Sequence, residues 1–119
     1  MPYCTARKLY PQFRGVSVQT HEDLHAILNK GFTGDWVGNP HRIEESGQLM
    51  VMSMTDRGKY FIATIKKVKT AKAGKDHLPE KRTRYIIYFD HPGSISGTIN
   101  PDLKFFRTPV QYHTKPARN

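Results

Sequence analysis

The distribution of hydrophobic residues along the chain predicts several short β-strands and few helices. Runs rich in β-branched and aromatic residues, bounded by glycine, proline and polar clusters, are typical of strands. The segments that fit this description are 15–18 ("GVSV"), 48–54 ("QLMVMSM"), 59–69 ("KYFIATIKKVK"), 82–90 ("RTRYIIYFD") and the residues around 110–112. The second and third are joined by the turn "TDRGK", in which Gly58 can take a positive φ.

One amphipathic helix is predicted over the stretch "THEDLHAILNKG", residues 20–31. Its ends are marked by Thr20 as N-cap, by Glu22 and Asp23 in an acidic first turn, and by Gly31 as a stop. The helix has about ten residues, and its apolar face is formed by Leu24, Ile27 and Leu28, spaced i, i+3, i+4.

A loop and a second, very short helix are predicted to follow. Three glycines and a proline in "GFTGDWVGNP" favour a loop around Trp36. Asn39 followed by Pro40 is typical of an N-cap with proline at the first helical position, and Gly47 marks the end of the helix.

These elements together predict an α+β fold. The connections between strands are too short for repeated βαβ units, so we expect a small, curled, mostly antiparallel β-sheet or pseudo-barrel with one or two short helices. A length of 119 residues predicts a single domain spanning 1–119. Residues 115–119 ("KPARN") are expected to be a mobile tail.

Charge narrows the range of partners. Nineteen Lys and Arg against ten Asp and Glu give a net charge of +9 and favour polyanions, DNA or RNA first among them.

Cys4 is the only cysteine, which excludes an intrachain disulfide and fits a cytoplasmic protein. No apolar run approaches the roughly 20 residues of a membrane span, and no hydrophobic signal core is present, so we expect no membrane association.

The positive charge is concentrated in the middle of the chain. Between Arg57 and Arg84 there are ten basic residues and two acids. If residues 59–69 and 82–90 form a hairpin, one face collects Lys66, Lys67, Lys69, Lys72, Lys75, Lys81, Arg82 and Arg84. Several cations along one surface are what phosphate binding needs, because each contact displaces condensed counterions. The alternative is a solvated lysine loop that only keeps the protein soluble.

A second candidate feature is Trp36, the sole tryptophan, followed by Asn39 and Arg42. An indole offers a π-face for a base, while Asn and Arg offer donors and acceptors to its edge. The alternative is a tryptophan buried in the core with its N–H bonded to a carbonyl. The sequence leaves both interpretations open.

The order of residues over about 32–112 resembles the PUA-like superfamily, especially its EVE-type modules. The matching positions are Trp36, Arg42, the stretch 58–63 and the strand from Arg84-Tyr85 to Phe89. The resemblance implies a five- or six-stranded pseudo-barrel with a pocket for a base, commonly a modified or flipped one. With the basic hairpin, it favours a non-catalytic nucleic-acid-binding module without a cofactor.

Two other kinds of function compete with this hypothesis. His21, Glu22 and His25 fit the zinc-protease pattern H-E-x-x-H, with Glu45 downstream as a candidate third ligand. Because His21 directly follows the expected helix cap and Asp23 lies inside the motif, we expect no metal site there. A small nuclease is also disfavoured, since no paired carboxylates stand out. The remaining alternative is an interaction protein whose basic face binds an acidic partner protein.

Overall fold

A computed structural model describes residues 6–71 and 83–113. The described elements are, in chain order, α1 (Ala6–Leu9), β1 (Gly15–Thr20), α2 (Leu24–Lys30), β2 (Phe32–Val37), α3 (Pro40–Ser46), β3 (Gln48–Ser53), β4 (Tyr60–Thr70), β5 (Arg84–Asp90) and β6 (Val110–His113). The predicted α+β class is therefore confirmed. Of these helices, none is long and apolar enough to cross a membrane. The expected tail at 115–119 lies outside the described residues.

The six strands form one mixed sheet in the order β2-β5-β4-β3-β1-β6. Only the β1–β3 pair is parallel, with Val16 opposite Leu49, and the other four pairs are antiparallel. The two edge strands approach each other beyond the end of β2, where the Asn39 N–H donates to Tyr112 Oη at 3.0 Å. No ladder joins β2 to β6 in the described part of the chain, so the sheet is curled but not closed into a barrel.

Hydrophobic side chains pack on both sides of this sheet. The larger cluster lies under α2 and α3 and contains Ile27 and Ile43 from the helices with alternate residues of the strands, among them Val18, Phe61 and Ile87. The smaller cluster joins Ala6 and Phe13 to Met50 and Met52 on the opposite side of β3. This second cluster includes Tyr60 and Ile62 at the start of β4, and no later residue of β4 and none of β5. The far ends of β4 and β5 therefore carry one face that neither cluster covers.

Helix α2 is shorter than predicted and begins later. Its N-cap is Asp23, whose carboxylate accepts from the Ala26 N–H at 3.3 Å, and not Thr20. Thr20 instead ends β1, where it pairs with Ser53. The C-terminal stop is confirmed, since Gly31 has a φ of 81° and its N–H bonds to the Ile27 carbonyl. Pairing of "GVSVQT" with β3 thus takes Thr20, the residue that local signals assigned to the helix cap.

Helix α3 follows the prediction closely. Asn39 caps it by accepting from the Arg42 N–H at 3.2 Å, Pro40 begins it, and Gly47 ends it with a φ of 76°. A short helix with complete local capping signals at both ends is readable from sequence because those signals do not depend on the rest of the fold.

The predicted loop at 31–40 was wrong for most of its length. Residues Phe32–Val37 form strand β2, which pairs with β5 around a register shift between Thr33 and Trp36. The strand buries Thr33 and Trp36 and exposes Gly34 and Asp35. Its glycines suggested a loop, but pairing with β5 and burial of these two side chains stabilise an edge strand.

Candidate nucleic-acid interface

The β4–β5 hairpin places two of the predicted lysines beside an aromatic ring. Lys67 pairs with Tyr88 and Lys69 pairs with Ile86, so both lysines project from the same face of the sheet. Their Nζ atoms lie 5.2 and 5.7 Å from the centre of the Tyr88 ring, within cation–π range. The hairpin therefore gathers charge and a π-surface at one point.

Lys67 and Lys69 are two positive charges held close together without a described negative charge beside them. The positive charge of Lys69 is the main cause that lowers the pKa of Lys67 below its ordinary value of 10.5, and Lys66 contributes less. Neither Lys67 nor Lys69 forms an ion pair with a described carboxylate. Like charges held close without a counter-charge favour an anionic ligand, because that ligand would relieve the repulsion.

Two further residues continue this arrangement, Phe32 at the start of β2 and Lys30 at the end of α2. The rings of Phe32 and Tyr88 pair across β2 and β5 with centroids 5.3 Å apart. The Lys30 Nζ lies 4.9 Å from the Phe32 ring centre and also forms an ion pair with Glu22. We name this row of five side chains the cation–aromatic stripe: Lys30, Phe32, Tyr88, Lys67 and Lys69.

The remaining predicted cations of the hairpin are less closely grouped. Lys66 is exposed at the register shift between Ile65 and Lys67. Arg84, at the start of β5, donates from Nη1 to the Asp35 carbonyl at 3.2 Å and so helps to hold β2. Lys72, Lys75, Lys81 and Arg82 lie outside the described residues.

The structure places Trp36 mainly in the core. Its side chain is 8% exposed, and Nε1 donates to Thr33 Oγ1 at 3.2 Å. One side borders an open cavity of about 350 Å³, whose lining residues are Gln19, Thr20, His21, Trp36, Met54, Phe106, Arg107 and Pro109. The indole therefore packs in the core, with a hydroxyl and not a carbonyl as its acceptor, and also borders a hollow. Stacking of a base on Trp36 stays a prediction.

Asn39 and Arg42 do not line that cavity. The Asn39 side chain caps α3, and the Arg42 guanidinium lies over the Tyr112 ring at 4.1 Å. The three residues predicted to address a base are thus not brought together around one hollow. Base recognition by Asn39 and Arg42 stays a prediction that would require them to exchange these contacts.

Gln19 is an unexpected member of the cavity wall. The residue is 3% exposed, and its side-chain Oε1 and Nε2 are both buried without a hydrogen-bond partner. A buried carboxamide without partners is rare in folded proteins and costs stability. The alternation in "GVSVQT" suggests a solvent-facing side for Ser17 and Gln19, so sequence reasoning missed this burial.

The H-E-x-x-H match does not form the geometry of a zinc site. His21 lies three residues before the first residue of α2, whereas His25 is its second residue. The two imidazoles therefore lack the i, i+4 relation on one helix face that zinc proteases use. They also border different hollows, with His25 beside Asp23, Asp56 and Lys59. Within residues 6–71 and 83–113, no group of three His, Cys, Asp or Glu side chains could hold a metal ion.

Comparison of the chain with protein-family models, curated proteins and solved structures found no match. The resemblance to the PUA-like superfamily therefore stays an interpretation of the sequence. The cation–aromatic stripe supplies a functional hypothesis that does not depend on it.

Proposed function

We propose that this protein binds nucleic acid without catalysing a reaction on it, and that the β4–β5 hairpin provides the phosphate contacts. The observation that carries this proposal is the convergence of Lys67 and Lys69 on Tyr88 with no described carboxylate paired to either lysine. A net charge of +9 adds long-range attraction for a polyanion.

The contact chemistry follows from these side chains. A lysine ammonium binds a phosphate oxygen as a point charge, and each such contact releases condensed counterions from the nucleic acid. A tyrosine ring between two lysines adds a surface on which a base or sugar can rest. This combination fits nucleic acid better than an acidic protein, whose carboxylates need cations but no flat ring.

The test is the salt dependence of binding, measured by fluorescence anisotropy with labelled DNA and RNA oligonucleotides. Binding should weaken steeply as salt rises, as phosphate contacts require. The double variant Lys67→Glu/Lys69→Glu should bind every sequence more weakly. Its plot of log affinity against log salt should be shallower by about 1.4 to 1.8, the contribution of two phosphate contacts.

A matched control separates local contacts from net charge. Arg14 and Lys104 are exposed and lie outside the stripe, and Arg14→Glu/Lys104→Glu changes the net charge by the same amount. This control should keep the wild-type salt slope. Affinity that does not depend on salt, or no binding to DNA or RNA at low ionic strength, would contradict the proposed function.

A further inference from the structure

The outward face of β2 and β5 carries two aromatic rings in register. Phe32 and Tyr88 are paired residues of the two strands, and their rings are tilted by 46°. Their β5 neighbours Ile87 and Phe89 point the other way, into the larger core cluster. Both rings are only partly buried, so each adds aromatic surface to the face that the core does not use.

The surface next to these rings is apolar and does not project above the sheet. Gly34 is the next outward position on β2, and it is exposed. A Cβ atom at this position would lie 3.0 Å from Ile86 Cγ1, closer than real Cβ contacts usually are. Glycine therefore keeps the β2 backbone close to the Ile86 side chain, and position 34 adds no side chain beside the two rings.

Cations lie at both ends of this aromatic pair. Lys30 is over Phe32, whereas Lys67 and Lys69 are over Tyr88. A base that stacks on Tyr88 would displace the ammonium groups from the ring. Each exposed cation–π contact contributes only about 2- to 5-fold to an equilibrium, and the two contacts with Tyr88 together contribute about 4- to 25-fold. A stacked base contributes about 5- to 150-fold, and the released lysines remain free to bind phosphates.

Resting on the proposed function, we infer that the cation–aromatic stripe selects unpaired strands of DNA or RNA over duplexes, with one base stacked on Tyr88 and its neighbour beside Phe32. In a duplex the bases stack on one another and their faces are closed to a protein ring, so only the lysines could act. In a single strand the faces are open and every base has one. Selectivity then lies in strandedness and depends little on sequence.

The experiment compares labelled single strands and duplexes of equal length and mixed sequence, as DNA and as RNA, by anisotropy at one salt concentration. We expect at least one single strand to bind about 10-fold or more tightly than its duplex. A matched abasic strand, which keeps phosphates and sugars but lacks bases, should bind as weakly as the duplex. Because these comparisons use the wild-type protein, they do not depend on how any variant folds.

Variants then locate the effect. Tyr88→Leu should lower single-strand affinity about 5- to 150-fold and leave duplex affinity unchanged, whereas Tyr88→Phe should keep both. Tyr10→Leu is the matched control, since Tyr10 is 40% exposed and lies outside the stripe.

The possible failures are distinguishable. Salt-dependent binding of equal strength to single strands, duplexes and abasic strands would overturn the inference and leave the proposed function standing. Equal binding to poly-glutamate would also overturn it, since an acidic peptide has no bases. Absence of binding to every nucleic acid would instead remove the proposed function itself.

Discussion

Lys67 and Tyr88 face each other across the β4–β5 ladder, and the lysine Nζ lies 5.2 Å from the centre of the tyrosine ring. Lys69, two residues further along β4, reaches the same ring at 5.7 Å. Two cations that share one ring are also close to each other, which is why the pKa of Lys67 is lowered. This small cluster carries the functional account, and its charge state can be measured directly.

Replacing Lys69 with methionine should raise the pKa of Lys67 toward 10.5, because the charge that lowers it is removed. NMR titration of the lysine side chains checks this.

The sign for stability follows from proton counting. A lowered pKa in the folded state means that the unfolded chain binds more protons between that value and 10.5, so wild-type stability should rise with pH in this window. This rise of stability with pH should be smaller in the variant. An unchanged pKa of Lys67 would contradict the proximity of the two lysines.

His113 should make stability sensitive to mild acid. It is half-buried beside Phe13, its Nε2 lies 3.1 Å from Ser17 Oγ, and burial followed by the charge of Arg7 lowers its pKa below 6.5. The unfolded state therefore binds the proton more readily. Stability should be highest above about pH 6.5 and fall as the pH drops from there through the lowered folded-state pKa.

Urea denaturation at pH 8 and pH 5 tests this expectation. His113→Gln should lose part of the difference between the two pH values, while the wild type keeps it. An equal pH dependence in both proteins would show that other groups dominate acid sensitivity.

Gln19→Leu should stabilise the protein by about 1–3 kcal/mol, since it removes a buried carboxamide that has no hydrogen-bond partner and keeps a similar volume. The free energy of unfolding from urea titration is the measurement. Gln12→Leu is the control, because Gln12 is exposed and its replacement should stay within about 0.5 kcal/mol. A clear loss of stability in Gln19→Leu would mean that the carboxamide has partners in solution.

Two glycines with positive φ should respond differently to alanine. Gly58 has a φ of 103°, and a Cβ there would overlap the Thr98 carbonyl oxygen, whereas a Cβ at Gly31, with a φ of 81°, would meet nothing within 4 Å. Gly31→Ala should cost about 1 kcal/mol of stability from backbone strain alone. Gly58→Ala should cost at least about 3 kcal/mol, because overlap adds to strain. An equal loss of unfolding free energy in the two variants, measured by urea denaturation, would contradict the close approach of Gly58 to the Thr98 carbonyl oxygen.

The contrast between predicted and observed elements follows from how local each signal is. Helix α3 and the β4–β5 hairpin were readable because capping residues and runs of β-branched and aromatic residues act over a few positions. Strand β2 was missed because its stability comes from pairing with β5, more than 45 residues away, and not from its own glycine-rich sequence. The predicted start of α2 was wrong for the same reason, because the pairing of β1 with β3 extends to Thr20.

The residues of the candidate site were likewise predictable only where the signal is local in the sequence. Lys67 and Lys69 were predicted from the density of positive charge, but Phe32 and Lys30 were not, because their place beside Tyr88 depends on β2 being a strand. The burial of Gln19 gives no sequence signal that distinguishes it from an exposed strand residue. Charge clustering can be counted in a sequence, whereas the neighbours of a side chain across a sheet require the pairing.

The most direct test of the account is to map the binding surface by NMR during titration with an unpaired oligonucleotide. The backbone amides of residues 30–32, 67–69 and 86–88 should show the largest shift changes, and those of β1 and β6 should show little change. Changes concentrated at the cavity beside Trp36 and Gln19, or spread evenly over the molecule, would contradict the assignment of binding to the cation–aromatic stripe.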